Sequence, residues 1–224
     1  MGAEILGVLI ARVTGKSLRS FLRERIFEPL EMSDTDFYVP EAKLHRLPTC
    51  YGTNFPMVEY VPSSISPFNF EMVVIDKADG GNYSKPPIFE SGGGGLVSTA
   101  DDLLTFSKMM LNNGTYHKER ILSRSSIELM TIDHITAEQK SASPFFPNFW
   151  DTYGWGLGVS VVTKRNELAD VPGCFGWDGA FGTSWHIDPK ENLIGIFLTQ
   201  RRPDMLAIPS FIRDFWTSVY QLID

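Results

Sequence analysis

The sequence predicts an α+β domain, an α/β sandwich in which an antiparallel sheet is flanked by helices. Three features predict it: helical periodicity up to Leu30, strand-and-turn patterning after Tyr153, and a closing amphipathic helix. Over Gly2 to Val13 the apolar residues Ile5, Leu6, Leu9, Ile10 and Val13 recur at helical spacing, with Gly15 as a natural stop. Ser17 is placed to cap a second helix through Phe21, Leu22, Ile26 and Phe27, which Pro29 should end. From Asp34 to Pro87 neither the helical nor the strand period persists. Phe68, Phe70 and Met72 make this stretch too apolar for a free linker, so it reads as a long folded excursion.

Ser91 and the run Gly92 to Gly95 lead into a third helix, with Ser98 or Thr99 as its cap, Asp101 and Asp102 in its first turn, and Gly114 as its end. A short helix is expected from Ser125 to Thr131. Strands are expected over Tyr153 to Thr163, Gly173 to Trp177, Thr183 to Asp188 and Leu193 to Thr199, with a turn at Pro189 to Asn192. The last helix carries Phe211, Ile212, Phe215, Trp216, Val219 and Leu222 on its apolar side.

With 43% hydrophobic and 21% charged residues, the 224-residue chain has the composition of a folded domain and not of a disordered tail. A net charge of -7 with scattered Lys and Arg argues against a nucleic-acid partner, which needs a basic face to release counterions. No stretch has the length and apolarity of a membrane span. Cys50 and Cys174 are far apart and read as free, partly buried thiols. The four histidines, His45, His117, His134 and His186, show no ligand spacing, so neither a metal nor another cofactor is expected.

Ser184, His186 and Asp188 alternate along one predicted strand and invite comparison with a catalytic triad. Same-face neighbours stand parallel about 7 Å apart, whereas a triad converges into a hydrogen-bonded line, so a polar strand face is the expectation. Gly182-Thr183-Ser184-Trp185-His186 lacks the final glycine and the strand-to-helix turn of a nucleophile elbow. The glycines at 92–95 lack the G-K-[ST] of a phosphate loop and read as a close, side-chain-free approach to substrate or neighbouring backbone.

Three segments in order carry a family resemblance: Leu6 to Lys16 with Arg25 to Met32, Gly93 to Asp102, and Gly176 to Thr183 followed by Asp188-Pro189 and Thr199-Gln200. They resemble the serine hydrolases that include class C β-lactamases, D-alanyl-D-alanine carboxypeptidases, D-aminopeptidases and related esterases. The resemblance implies a β-lactamase/transpeptidase-like fold and an acyl-serine mechanism. Trp177-Asp178-Gly179 would stand at the third motif of that family, edging the acyl pocket, and Ala180 would donate its backbone N–H to the oxyanion. Gly93 and Gly94 would lie beside the site.

Trp177 in place of the lysine of β-lactamases disfavours β-lactams, and Asp178 is expected to oppose anionic substrates. An ester or a D-amino-acid amide is favoured. The family nucleophile lies in S-x-x-K, with a Tyr-x-Asn motif following, and neither occurs among the residues of this chain. The expectation is therefore one partial domain, helical with long loops over residues 1–152 and sheet plus helix over 153–224. By itself it would be inactive, completed by an N-terminal segment or by another copy covering the exposed sheet. A non-catalytic binding protein of the same fold is the alternative.

Overall fold

The first helix forms where the apolar period requires it, and its end at a glycine is sharp. α1 spans Gly2–Thr14, and Gly15 follows at φ +68°. Ser17 caps α2, Leu18–Leu22, its hydroxyl accepting the Ser20 N–H at 3.1 Å. α2 widens into a π-helical turn over Arg23–Phe27 that closes at Pro29, the expected boundary. The structure, a computed structural model, describes residues 2–53, 71–142, 148–165, 167, 169–203 and 209–223.

The expected excursion contains a 3₁₀ helix over Glu41–Arg46 and two paired strands, β1 (Cys50–Thr53) and β2 (Met72–Asp76). Phe68 and Phe70 lie outside the described residues. α3, Ala100–Leu111, is capped by Thr99, whose hydroxyl accepts the Asp102 N–H. Gly114, at φ +84°, turns the chain into a small hairpin of β3 (Thr115–Tyr116) and β4 (Glu119–Arg120). Then come α4 (Arg124–Met130), α5 (Ala137–Ala142) and α6 (Phe149–Thr152).

A five-stranded antiparallel sheet follows in strict meander order: β5 (Tyr153–Trp155), β6 (Ser160–Val162), β7 (Phe175–Asp178), β8 (Ser184–Asp188) and β9 (Leu193–Phe197). The single strand expected over Tyr153 to Thr163 is in fact a hairpin, because Gly156 and Gly158 break the run and Gly158 turns at φ +94°. α7, Ser210–Tyr220, closes the described chain. Leu222, expected on its apolar side, lies beyond its end and is exposed.

Two compact units emerge, Met1–Thr49 with Asp76–Arg124, and Cys50–Ile75 with Ser125–Asp224. The second reaches further back than the change from helix to strand pattern at residue 152, because the segments before the sheet bond to it. The His134 N–H donates to the Trp155 carbonyl at 2.9 Å and the Leu157 N–H to the Met130 carbonyl at 3.0 Å. In the first unit the core gathers Leu18, Phe27, Leu30, Phe37, Met109 and Met110. In the second it gathers Val161, Phe175, Ile187, Ile212 and Trp216.

The glycine run belongs to the first unit, and its lack of side chains is used against protein backbone. A Cβ on Gly92 would lie 2.5 Å from the Ala3 carbonyl oxygen, and one on Gly95 2.8 Å from the Phe37 ring. Glu4 in the first turn of α1 completes the contact, accepting the Ser91 hydroxyl at 2.7 Å and the Gly92 N–H at 3.1 Å.

Candidate functional site

The Trp177-Asp178-Gly179-Ala180 segment ends β7 and enters a hairpin whose loop chemistry is set by two glycines. The Gly182 N–H donates to the Gly179 carbonyl at 3.0 Å, the Gly179 N–H donates to the Thr183 carbonyl at 2.8 Å, and Gly182 sits at φ +85°. That is a three-residue hairpin loop, a β-turn followed by one left-handed residue. A Cβ on Gly182 would lie 2.2 Å from the Arg201 carbonyl oxygen, and one on Gly179 2.1 Å from Thr183 Oγ1, so the tight approach requires both glycines. Ala180 occupies the second position of the turn, where the N–H points away from the ring that the turn closes. It is exposed, and among the described residues its N–H has no protein acceptor.

Register decides which side chains share a face. Trp177 pairs with Trp185, and Asp178 pairs with Ser184. Trp177 and Trp185 therefore project to one face, and Asp178, Ser184, His186 and Asp188 to the other. Trp177 meets Trp155 edge-to-face at 4.6 Å and Phe149 at 6.3 Å, while Phe149 stacks on Tyr153 at 4.8 Å. Such pairs add stability beyond the area they bury. The Tyr153 hydroxyl donates to Asp170 at 2.6 Å, and burial together with that bond raises its pKa.

The polar face lies under α7. The Trp216 indole N–H donates to Ser184 Oγ at 2.9 Å, and the Trp216 ring meets His186 edge-on at 5.1 Å. The Tyr220 hydroxyl donates to Asp188 at 2.7 Å, and the same carboxylate accepts the Lys190 and Glu191 N–H groups of the β8–β9 turn. Ser184 and Asp188 are 0% and 2% exposed, so the strand trio is a buried, hydrogen-bonded face and presents no nucleophile to solvent.

Asp178, expected to turn anions away, points into this set, with its carboxylate 3.4 Å from His186 Nε2 and one third of the side chain exposed. Burial lowers the pKa of His186, but the Asp178 and Cys174 contacts outweigh it and push the imidazole up to about 9. Burial opposes the Asp178 anion, and the His186 and Ser184 contacts still hold its carboxyl below the usual value. The charge is thus matched within the protein. Cys174 and Cys50 are both buried and form no disulfide.

In the first unit a hollow of about 170 Å³ is lined by Leu22, Phe37 and residues 91–96. Gly93 abuts Glu4, its Cβ position 2.8 Å from the carboxylate, whereas a Cβ on Gly94 would meet nothing within 4 Å. Among the described residues no three His, Cys, Asp or Glu side chains converge as a metal site would need, and no helix is long and apolar enough to cross a membrane.

The sequence pattern places the loop but not the partnership of Asp178 with His186 across the hairpin. The signal was present in Gly179-Ala180-Phe181-Gly182-Thr183, because a three-residue loop with glycine at its last position fixes Asp178 opposite Ser184. The aromatic contacts of Trp177 had no such local signal, since they join α6, β5 and β7.

Comparison with known proteins agrees with this architecture. The chain is 35% identical over 214 residues to protein Rv1367c of Mycobacterium tuberculosis, covering 90% of this chain and 48% of that protein. It is 27% identical to the lovastatin esterase of Penicillium rubens, covering 87% of this chain and 48% of that one. Among solved structures it is similar to EstCE1, a hydrolase with promiscuous acyltransferase activity, with a TM-score of 0.72, 23% identity, and coverage of 97% of this chain and 54% of that chain. The chain spans about half the length of the curated relatives it matches. The β-lactamase pattern matches residues 1–211, and the chain belongs to the β-lactamase family.

Proposed function

We propose that this chain forms the C-terminal part of a serine hydrolase that cleaves an ester or amide through an acyl-serine intermediate. The observation that carries the reading is the Ala180 N–H, held outward at the second position of a rigid turn beside Trp177 and without a protein acceptor among the described residues. A serine and its lysine base come from sequence outside this chain, because no S-x-x-K occurs within it.

In the reaction the serine oxygen bonds to the substrate carbonyl carbon as its proton passes to the base. The carbonyl oxygen becomes an oxyanion and accepts the Ala180 N–H. Collapse restores the carbonyl, breaks the bond to the alcohol or amine, and returns a proton to that leaving group. Water then repeats the sequence on the acyl-serine and frees the acid. Trp177 and Gly179 wall the acyl group. Gly93 and Gly94, which line the hollow of the first unit, are assigned to substrate contact on the family resemblance. Asp178 acts on this wall from behind, its carboxylate being engaged by His186. An uncharged ester or a D-amino-acid amide suits a wall that offers an indole where a β-lactamase offers lysine.

The apolar side of α1 supports a completing segment, with Ile5, Leu6, Leu9 and Val13 all more than half exposed. We assign its cover to the sequence that carries the nucleophile.

The test is Ala180→Pro in the chain joined to an upstream segment bearing S-x-x-K. Proline is favoured at the second position of a β-turn, so the substitution removes the donor and keeps the loop. We expect kcat for a p-nitrophenyl ester to fall by roughly 10²- to 10³-fold with the melting temperature retained. Unchanged kcat would remove Ala180 from the mechanism.

A further inference from the structure

The loop that presents Ala180 is closed by the Gly179 N–H on the Thr183 carbonyl, and the last strand pair before it is Asp178 with Ser184. On the face under α7 that pair is tied into a hydrogen-bonded chain. The Trp216 indole N–H donates to Ser184 Oγ, the Ser184 hydroxyl stands across the pair from Asp178 and favours its ionised carboxylate, and His186 Nε2 lies on the same carboxylate at 3.4 Å. Donors and acceptors match in order, since indole gives, hydroxyl accepts and gives, and carboxylate accepts twice. Ser184 is fully buried. A half-buried carboxylate is held toward the groups that favour its charge, because losing one of them leaves it partly underpaired on its buried side.

Resting on the hydrolase reading above, we propose that His186 and Asp178 are positioning residues, which fix the last strand pair before the hairpin loop and thereby the direction of the Ala180 N–H two residues later. The pair touches no substrate. It works through backbone, from a face that register places opposite Trp177.

Each element packed around His186 contributes to its setting. The Asp178 carboxylate lies at the end of β7, and the Cys174 thiol just before that strand. Ser184 and Asp188 share its face on β8, β9 offers only Gly195 opposite it, and α7 brings Trp216 and Tyr220. Asp188 is occupied by Tyr220 and by the turn amides, so Asp178 is the carboxylate left to hold the imidazolium. With the imidazole pushed up to about 9, the pair stays ionised through neutral pH and is lost in alkali.

The experiment compares wild type, His186→Gln and Asp178→Asn in the chain joined to its upstream segment, with pH profiles of kcat and KM for a p-nitrophenyl ester. In parallel, NMR titration follows His186 in the present chain. A misaimed donor should lower kcat by roughly ten- to a hundredfold with KM within about twofold, and the alkaline fall in wild-type kcat near the His186 midpoint should vanish in His186→Gln. The NMR midpoint should drop toward that of an ordinary imidazole in Asp178→Asn. Unchanged kcat and an unchanged pH profile in both variants would overturn the positioning role while leaving the hydrolase reading intact. A complete absence of turnover in wild type would instead overturn the hydrolase reading, and the positioning role with it, and the titration would then report only an ion pair.

Discussion

α1 and α7 are written in the same sequence language and have opposite fates. Both are amphipathic, and both were readable from apolar spacing alone. α7 spends its apolar side on the sheet, with Ile212 and Trp216 buried and the Trp216 ring lying where any side chain on Gly195 would fall, 2.1 Å from its Cβ position. α1 buries only Gly7 and leaves Ile5, Leu6, Leu9 and Val13 to solvent. Its anchorage is instead backbone and carboxylate, through Gly92 against Ala3 and through Glu4 on Ser91 and Gly92. Periodicity therefore tells which residues want cover and is silent on what covers them.

The comparison is broken most directly at Trp216. Trp216→Ala removes a buried indole and the donor to Ser184, so thermal or urea unfolding should show a loss of about 3–5 kcal/mol. A loss below 1 kcal/mol would mean that α7 is as loosely held as α1.

A smaller effect comes from pH. The His186 imidazole, ordinarily at 6.5, stands at about 9 in the folded chain, so folding stability from this group is complete below pH 6.5 and is lost as pH rises through 9. Asp178, held below 3.8, adds stability above that value that is lost in acid. Denaturation at pH 7 and pH 9.5 should differ by about 1–2 kcal/mol, the alkaline sample being weaker. The difference should shrink in His186→Gln, and an equal difference there would place its origin elsewhere.

The smallest effect is expected on α1. Leu9→Ser should change the stability of this chain by less than about 0.5 kcal/mol, because the side chain is half exposed. In the joined protein the same change should cost several times more if the apolar side is covered there. Equal costs in the two contexts would leave α1 without a partner.

Much of the fold was legible for reasons that are local. Ser17 and Thr99 cap helices through hydroxyls that any sequence reading can place, and Pro29 ends α2 and its π turn because its ring cannot continue them. The run Tyr153 to Thr163 reads as one strand because its apolar character is nearly continuous, and the glycines that fold it into a hairpin are single residues inside that run. Trp177, Gly179 and Ala180 are assigned to the proposed site by the resemblance alone, and their loop geometry follows from Gly182. The placing of Asp178 was not legible from its own strand. Its face depends on β8, and in sequence its counter-charge, His186, stands only beside Ser184 and Asp188. Contacts across strands need register, and register was hidden in the length of one loop.

The decisive question is where the nucleophile lies. Labelling the purified chain with a fluorophosphonate probe, alone and joined to the upstream segment, followed by intact mass and peptide mapping, asks this directly. The account predicts no label on any serine of residues 1–224 and stoichiometric label on the upstream S-x-x-K serine. Label on Ser184 or on another serine of this chain would contradict it, and silence in both forms would make the protein a binding relative of the family.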